Sequence, residues 1–217
     1  LAIFISQSGE TADTIACLEL IKARKIKHFS IVNVKESTID RLSENVIYTS
    51  AGPEIAVAST KAYIAQVMVI DLFAIYLAKI LRLHDEVELN SILKELKEIP
   101  NKMEEIMQDD TEIVEFANDI KHKKDVFFLG RGVDFYAALE GSLKLKEISY
   151  IHSEAIWLGE LKHGPIALIE ENTELSTRRR LRKSYLWSKK IRLAVYKIIT
   201  YFPKIISGNY KRKLNQN

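Results

Sequence analysis

An α/β fold of parallel sheets flanked by helices, in two related halves, is what this sequence predicts, and three observations carry that expectation. A continuous apolar run at residues 1–5 passes through a polar turn, Ser6-Gln7-Ser8-Gly9-Glu10-Thr11, into a segment of helical period. The same order returns near residue 125, where Asp-Val-Phe-Phe-Leu leads through Gly130-Arg131-Gly132 into a second helical pattern. Helical patterns dominate the residues between them. Apolar runs without alternation are the mark of parallel strands covered on both faces, and strands alternating with helices are the mark of βαβ units.

The elements follow in order. Residues 1–5 form a buried strand and 12–25 a helix, opened by the hydroxyl-rich turn. Residues 29–34 and 45–49 read as a second and a third strand, separated by turn formers. Residues 51–59 form a loop. The segment 60–83 is a long apolar helix; within it, 64–81 is interrupted by Gln66, Asp71 and Lys79, which suits a buried helix better than a membrane span. A more amphipathic helical stretch covers 87–108 and breaks at Pro100. A strand at 125–129 and a helix over 134–148 complete the second unit.

Composition narrows the function classes. At 217 residues, 47% hydrophobic and 28% charged, the chain is long and apolar enough to bury a core, which excludes wholesale disorder. The single cysteine, Cys17, excludes a disulfide framework and a multi-cysteine zinc site, and places the chain in the cytoplasm; flanked by Ala16 and Leu18, it reads as a core thiol. No secretory signal pattern opens the chain. Residue 1 is Leu, already inside a strand pattern, so the numbering is expected to start within a longer polypeptide.

The net charge of +3 conceals a break. All 29 acidic residues lie at or before Glu174, whereas 176–217 carries 13 Lys and Arg and no acid, giving +13 there against −10 for residues 1–175. The apolar residues interleaved with this charge (Leu186, Trp187, Ile191, Val195, Phe202) do not suit a basic nucleic-acid arm. The composition matches an out-of-frame reading of an A/T-rich coding region. A basic amphipathic helix and a genuine alternative ending stay open.

Three places can carry chemistry. The turn at 6–11 sets the hydroxyls of Ser6, Ser8 and Thr11 and the amide of Gln7 at a helix N-terminus, where unpaired N–H groups favour an oxyanion. It lacks Lys and Arg, so a single phosphate on a small molecule suits it better than a triphosphate; a cluster that only caps the helix is the competing reading. Glu140, Lys144 and Glu147 fall at i, i+4 and i+7 on one helix face. Such a face is either a solvated ion-pair ladder or a carboxylate base beside a cation that stabilises developing negative charge. His163 lies in Gly159-Glu160-Leu161-Lys162-His163-Gly164-Pro165, where an imidazole can move protons near neutral pH.

Together with Glu54-Ile55-Ala56-Val57-Ala58-Ser59-Thr60-Lys61-Ala62 and Ala138-Leu139-Glu140-Gly141-Ser142-Leu143-Lys144-Leu145-Lys146-Glu147, these motifs resemble, in order and spacing, the isomerase half of the glutamine:fructose-6-phosphate aminotransferases, or glucosamine-6-phosphate synthases. That half is built from sugar-isomerase (SIS) domains. The resemblance runs from residue 1 to about 174.

It implies that Ser6, Gln7, Ser8 and Thr11 hold the sugar phosphate and that Val57, Ser59 and Thr60 line the sugar pocket. It further implies that Glu147 shuttles a proton between C1 and C2 of the fructose-6-phosphate imine and that Lys144 stabilises the enediol-like intermediate. His163, contributed in the family by a neighbouring subunit, would help open the ring. The implied partners are fructose 6-phosphate, glucosamine 6-phosphate and a second subunit, with no metal, no organic cofactor, no nucleic acid and no membrane.

By the same resemblance, residues 1–86 are the C-terminal part of a first SIS domain, 87–120 a helical connector, 121–175 the N-terminal part of a second SIS domain, and 176–217 a basic tail foreign to the family. The glutaminase domain, the start of the first SIS domain and the Schiff-base lysine of the family's tail are missing. Half-built sheets leave apolar faces and strand edges uncovered, so the chain made alone is expected to be poorly soluble and inactive. A noncatalytic phosphosugar-sensing SIS module is the alternative, and retention of Lys144, Glu147 and His163 argues against it.

Overall fold

The computed structural model describes residues 1–108, 110–169 and 174–175, in two units, Leu1–Ile99 and Pro100–Asn217. The basic tail expected at 176–217 lies outside the described residues.

The first unit runs β1 (Ala2–Ser6), α1 (Ala12–Ala23), β2 (His28–Val32), α2 (Thr38–Leu42), β3 (Val46–Tyr48), α3 (Lys61–Ile80) and α4 (Glu86–Lys97). Its sheet has the order β1-β2-β3, all parallel, with Ser6 opposite Val32 and Val32 opposite Tyr48. This register brings the C-terminal ends of the three strands level, the edge at which open α/β sheets place ligands. Phe4, Leu18, Val32 and Ile39 form the core, with Ala2, Ile15, Ile21, Leu42 and Val46 packed against it.

Three expectations are corrected. The first strand is covered on one face only: β2 is buried throughout, but in β1 Phe4 and Ser6 point inward while Ile3 and Ile5 are exposed. Cys17 is exposed rather than in the core, because α1 directs its neighbour Leu18 against the sheet. The long apolar helix α3 is also not buried. Ala62 is its one buried residue among those described, although its length and composition would suffice to cross a membrane. In this unit α4 packs along it, and the ring of Phe29 lies 4.9 Å from that of Phe73. Val67, Ile70, Tyr76 and Ile80 stay exposed.

The division falls one residue into α5 (Ile99–Gln108), and the second unit holds the rest of that helix, α6 (Thr111–Ile120), β4 (Asp125–Gly130), α7 (Val133–Ser149), β5 (His152–Trp157), two short 3-10 turns (Leu161–His163 and Pro165–Leu168) and β6 (Glu174–Leu175). Pro100 stands in the first turn of α5, where its missing N–H costs nothing, so the break falls between α4 and α5. The sheet order is β5-β4-β6, again parallel. Here β4 does have both faces covered: Val126 and Phe128 meet Ala117, Ile120, Ala138 and Leu145 on one side, and Phe127 and Leu129 meet Ile156 on the other.

Candidate active site

In the first unit the candidate is the turn between β1 and α1. Ser6, the last residue of β1, is 6% exposed, and its Oγ accepts the N–H of Gly9 at 3.0 Å. Ser8 Oγ accepts the N–H of Glu10 at 3.1 Å, and the hydroxyls of Ser6 and Thr11 lie 3.2 Å apart. Thr11 is the N-cap residue of α1, yet its side chain makes no capping hydrogen bond. A cluster that only started the helix would use that hydroxyl on the N–H groups of the first turn, so the plain capping reading loses its main support. Gly9 takes φ +68°, a backbone conformation that favours glycine, and is buried.

The loop after β3 is tied to the same turn through Asn33, just past β2. Its backbone N–H donates to Gln7 O at 3.2 Å. Its side-chain Oδ1 accepts from Thr49 Oγ1 at 3.0 Å and from Ala51 N at 2.8 Å, while Nδ2 donates to Gly52 O at 2.7 Å. Further along, the carboxylate of Glu54 accepts from Ser59 Oγ at 3.3 Å and Ala62 N at 3.2 Å, closing the loop onto the start of α3. Ser59 and Thr60 are half-buried beside this tie; Val57 is 96% exposed and rests against nothing that encloses it. Sequence reasoning missed Asn33 and Glu54 as loop holders. An asparagine ending an apolar parallel strand was the available signal for the first.

In the second unit the candidate is one face of α7. Gly130 allows β4 to meet the start of this helix closely, since a Cβ there would fall on the backbone of Phe135. Reciprocal hydrogen bonds fix the middle of α7 to β5: Ser142 Oγ donates to Ser153 O at 2.9 Å and Ser153 Oγ to Ser142 O at 2.7 Å.

On the helix so held, Lys144 Nζ lies 2.7 Å from Glu147 Oε2 and 3.5 Å from Glu140 Oε1. The lysine side chain is 4% exposed, against 15% for Glu140 and 30% for Glu147. This is not a solvated ladder. An ammonium removed from water needs its counter-charges, and Glu147 is the more open of its two carboxylates. Burial pushes the Glu140 carboxyl above its ordinary range, with Lys144 pulling the other way. His163 is exposed in its 3-10 turn and, among the described residues, forms no ion pair with Glu140 or Glu147. Among the described residues no group of three or more His, Cys, Asp and Glu side chains could hold a metal ion.

The SIS domain family model matches residues 1–76 and 119–175. The chain is 51% identical over 177 residues to the glutamine–fructose-6-phosphate aminotransferase (isomerizing) of Clostridium tetani, covering 82% of this chain and 29% of that protein. A protein of the same name from Bradyrhizobium diazoefficiens is 54% identical over 172 residues, 79% of this chain and 28% of its own length. The chain thus spans less than a third of these curated relatives. Among solved structures, the C-terminal domain of glucosamine-fructose-6-phosphate aminotransferase from Francisella tularensis superposes with a TM-score of 0.83 at 31% identity, over 95% of this chain and 71% of that one. With the family model matched across both sheets and a solved relative matched over most of its length, the chain belongs to the SIS domain family.

Proposed function

We propose that this chain carries the sugar-phosphate isomerase chemistry of a glucosamine-6-phosphate synthase, the enzyme that makes glucosamine 6-phosphate from fructose 6-phosphate and glutamine. Ser6, Gln7, Ser8 and Thr11 bind the phosphate ester, and Val57, Ser59 and Thr60 border the sugar. Glu147 takes a proton from C1 of the fructose-6-phosphate imine and returns it to C2. Lys144 stabilises the charge that develops on the enediol-like intermediate, and His163, acting from a neighbouring subunit, assists ring opening. Anchoring the phosphate limits the motion of the reacting carbons, so that one carboxylate suffices for both proton transfers.

The observation that carries this reading is the Lys144 ammonium, 4% exposed and held against two carboxylates. A surface ladder would leave it in water, and such ladders contribute only ~0.3–0.5 kcal/mol per pair. Within the same proposal, residues 1–86 and 121–175 belong to two successive SIS domains joined by 87–120, the tail at 176–217 is foreign to the family, and the enzyme is a cytoplasmic homodimer.

Grafting residues 1–175 into the Clostridium tetani aminotransferase, in place of the segment they match, tests the function apart from the stability of the isolated chain. The graft should form glucosamine 6-phosphate from fructose 6-phosphate and glutamine. A folded graft that binds fructose 6-phosphate and forms no product would leave only a phosphosugar-binding module.

A further inference from the structure

A loop that receives a phosphate dianion and has neither Lys nor Arg is a poor place for an acid, yet Glu10 stands in its middle. The structure shows where that carboxylate goes. Its Oε1 accepts the backbone N–H of Thr38, at the start of α2, at 2.8 Å. The neighbouring Gly9 O accepts the N–H of Ile39 at 3.0 Å. Gly9 also packs so closely on Ser37 that a Cβ would fall on the serine side chain, and Ser37 is 3% exposed. The first turn of α2 thus grips Gly9 and Glu10 from three sides.

Those two residues in turn hold the hydroxyls. Gly9 N–H donates to Ser6 Oγ and Glu10 N–H donates to Ser8 Oγ. A serine oxygen that accepts from the backbone keeps its own hydrogen for another acceptor, which for Ser6 requires that Thr11 be the donor in their 3.2 Å contact. Fixing Gly9 and Glu10 thus aims the donors that would meet a phosphate oxygen.

We propose that Glu10 is a positioning residue of the phosphate loop: by accepting from Thr38 N–H it locks the loop onto α2, turns its own charge to that N–H, and sets the hydroxyls of Ser6 and Ser8 for the ligand. This rests on reading residues 6–11 as the phosphate loop. The hydrogen bonds from Thr38 hold the Glu10 carboxyl below its ordinary range, as expected for an ionised acceptor.

The test is calorimetric titration of fructose 6-phosphate and, separately, inorganic phosphate into the full 217-residue chain, kept in solution by fusion to a carrier protein. Glu10→Gln keeps the acceptor and removes the charge, so it should bind both ligands within about two-fold of the parent. Glu10→Ala removes the acceptor and should weaken both roughly five- to ten-fold, the equivalent of one lost hydrogen bond. Thr38→Pro deletes the donor from the other side, at a first helical position that accepts proline, and should match the alanine variant.

Parent-like binding by Glu10→Ala and Thr38→Pro, with binding weakened in Ser8→Ala, would overturn the inference and leave the phosphate loop standing. A Glu10→Gln variant binding ten-fold tighter than the parent would show that Glu10 acts by repulsion, which also overturns it. No saturable binding by a parent fusion that shows the circular dichroism of a folded α/β chain would remove the phosphate-loop reading, and this inference with it.

Discussion

Removing both counter-charges of Lys144 should cost far more than the sum of removing each. The Glu140→Gln change deletes the longer contact, 3.5 Å, from a carboxyl that burial already pushes toward its neutral form. Desolvation there offsets most of the attraction, so the single loss should be below ~0.5 kcal/mol. Glu147→Gln deletes the 2.7 Å charged contact but leaves an amide oxygen that still accepts and leaves Glu140 as counter-ion, for about 1 kcal/mol. In the double variant an ammonium with 4% exposure has no carboxylate at all. A buried charge stripped of its partners costs about 3–5 kcal/mol, reduced toward ~3 by the water that reaches the glutamine ends. The expected coupling is therefore about 1.5 kcal/mol or more beyond additivity. Hydrogen exchange of the α7 amides in the carrier fusion measures it, since these amides report the local opening of that helix. Additive losses within ~0.5 kcal/mol would refute the argument, because they would mean that Lys144 is solvated and needs neither partner.

Further outcomes follow from single contacts. Because the Glu140 carboxyl is raised above its unfolded value of 4.5, the folded state binds the extra proton, and the stability this confers is present in acid and lost as pH rises through the folded value. The parent should therefore gain stability relative to Glu140→Gln as pH is lowered toward 4.5; a pH-independent difference in urea midpoint would contradict this. Asn33→Asp replaces the Nδ2–H that donates to Gly52 O by an oxygen, setting two acceptors face to face. It should loosen the loop after β3 by about 1–3 kcal/mol, read as faster exchange at residues 49–62, while α7 stays unchanged. Gly130→Ala places a Cβ on the backbone of Phe135 and should cost ~3 kcal/mol or more in the second unit, seen as loss of the tryptophan signal from Trp157, which stacks on Phe135. A melt equal to the parent's would show that β4 and α7 are not packed that closely.

The parallel sheets and the strand, turn and helix units were legible because their signals are local. The runs at 1–5 and 125–129 and the small or hydroxyl residues after them state their own conformation. The five-residue α2 was not legible, having too few turns to show a period, and neither was β5, where His152, Ser153 and Glu154 break the apolar run. Burial was harder still. The same apolar run gives a two-faced strand in β4 and a one-faced strand in β1, because what covers a face comes from distant sequence. Helix spacing placed Glu140, Lys144 and Glu147 together, but not the 4% exposure that separates a buried lysine from a solvated one. The holders Glu10, Asn33 and Glu54 act through backbone groups far along the chain, which no local pattern records.

The central claim is that Glu147 moves a proton on the carbon skeleton of a hexose phosphate. The most direct measurement is deuterium uptake from heavy water into the C1 and C2 positions of fructose 6-phosphate and glucosamine 6-phosphate, catalysed by the graft in the Clostridium tetani enzyme and followed by proton NMR. Because the Glu147 side chain is 30% exposed, its carboxyl exchanges the abstracted proton with water before delivering one to C2. The account therefore predicts uptake by the graft and, in Glu147→Gln, loss of uptake by about a hundred-fold or more with sugar-phosphate binding intact. Uptake by Glu147→Gln at the parent rate would contradict it.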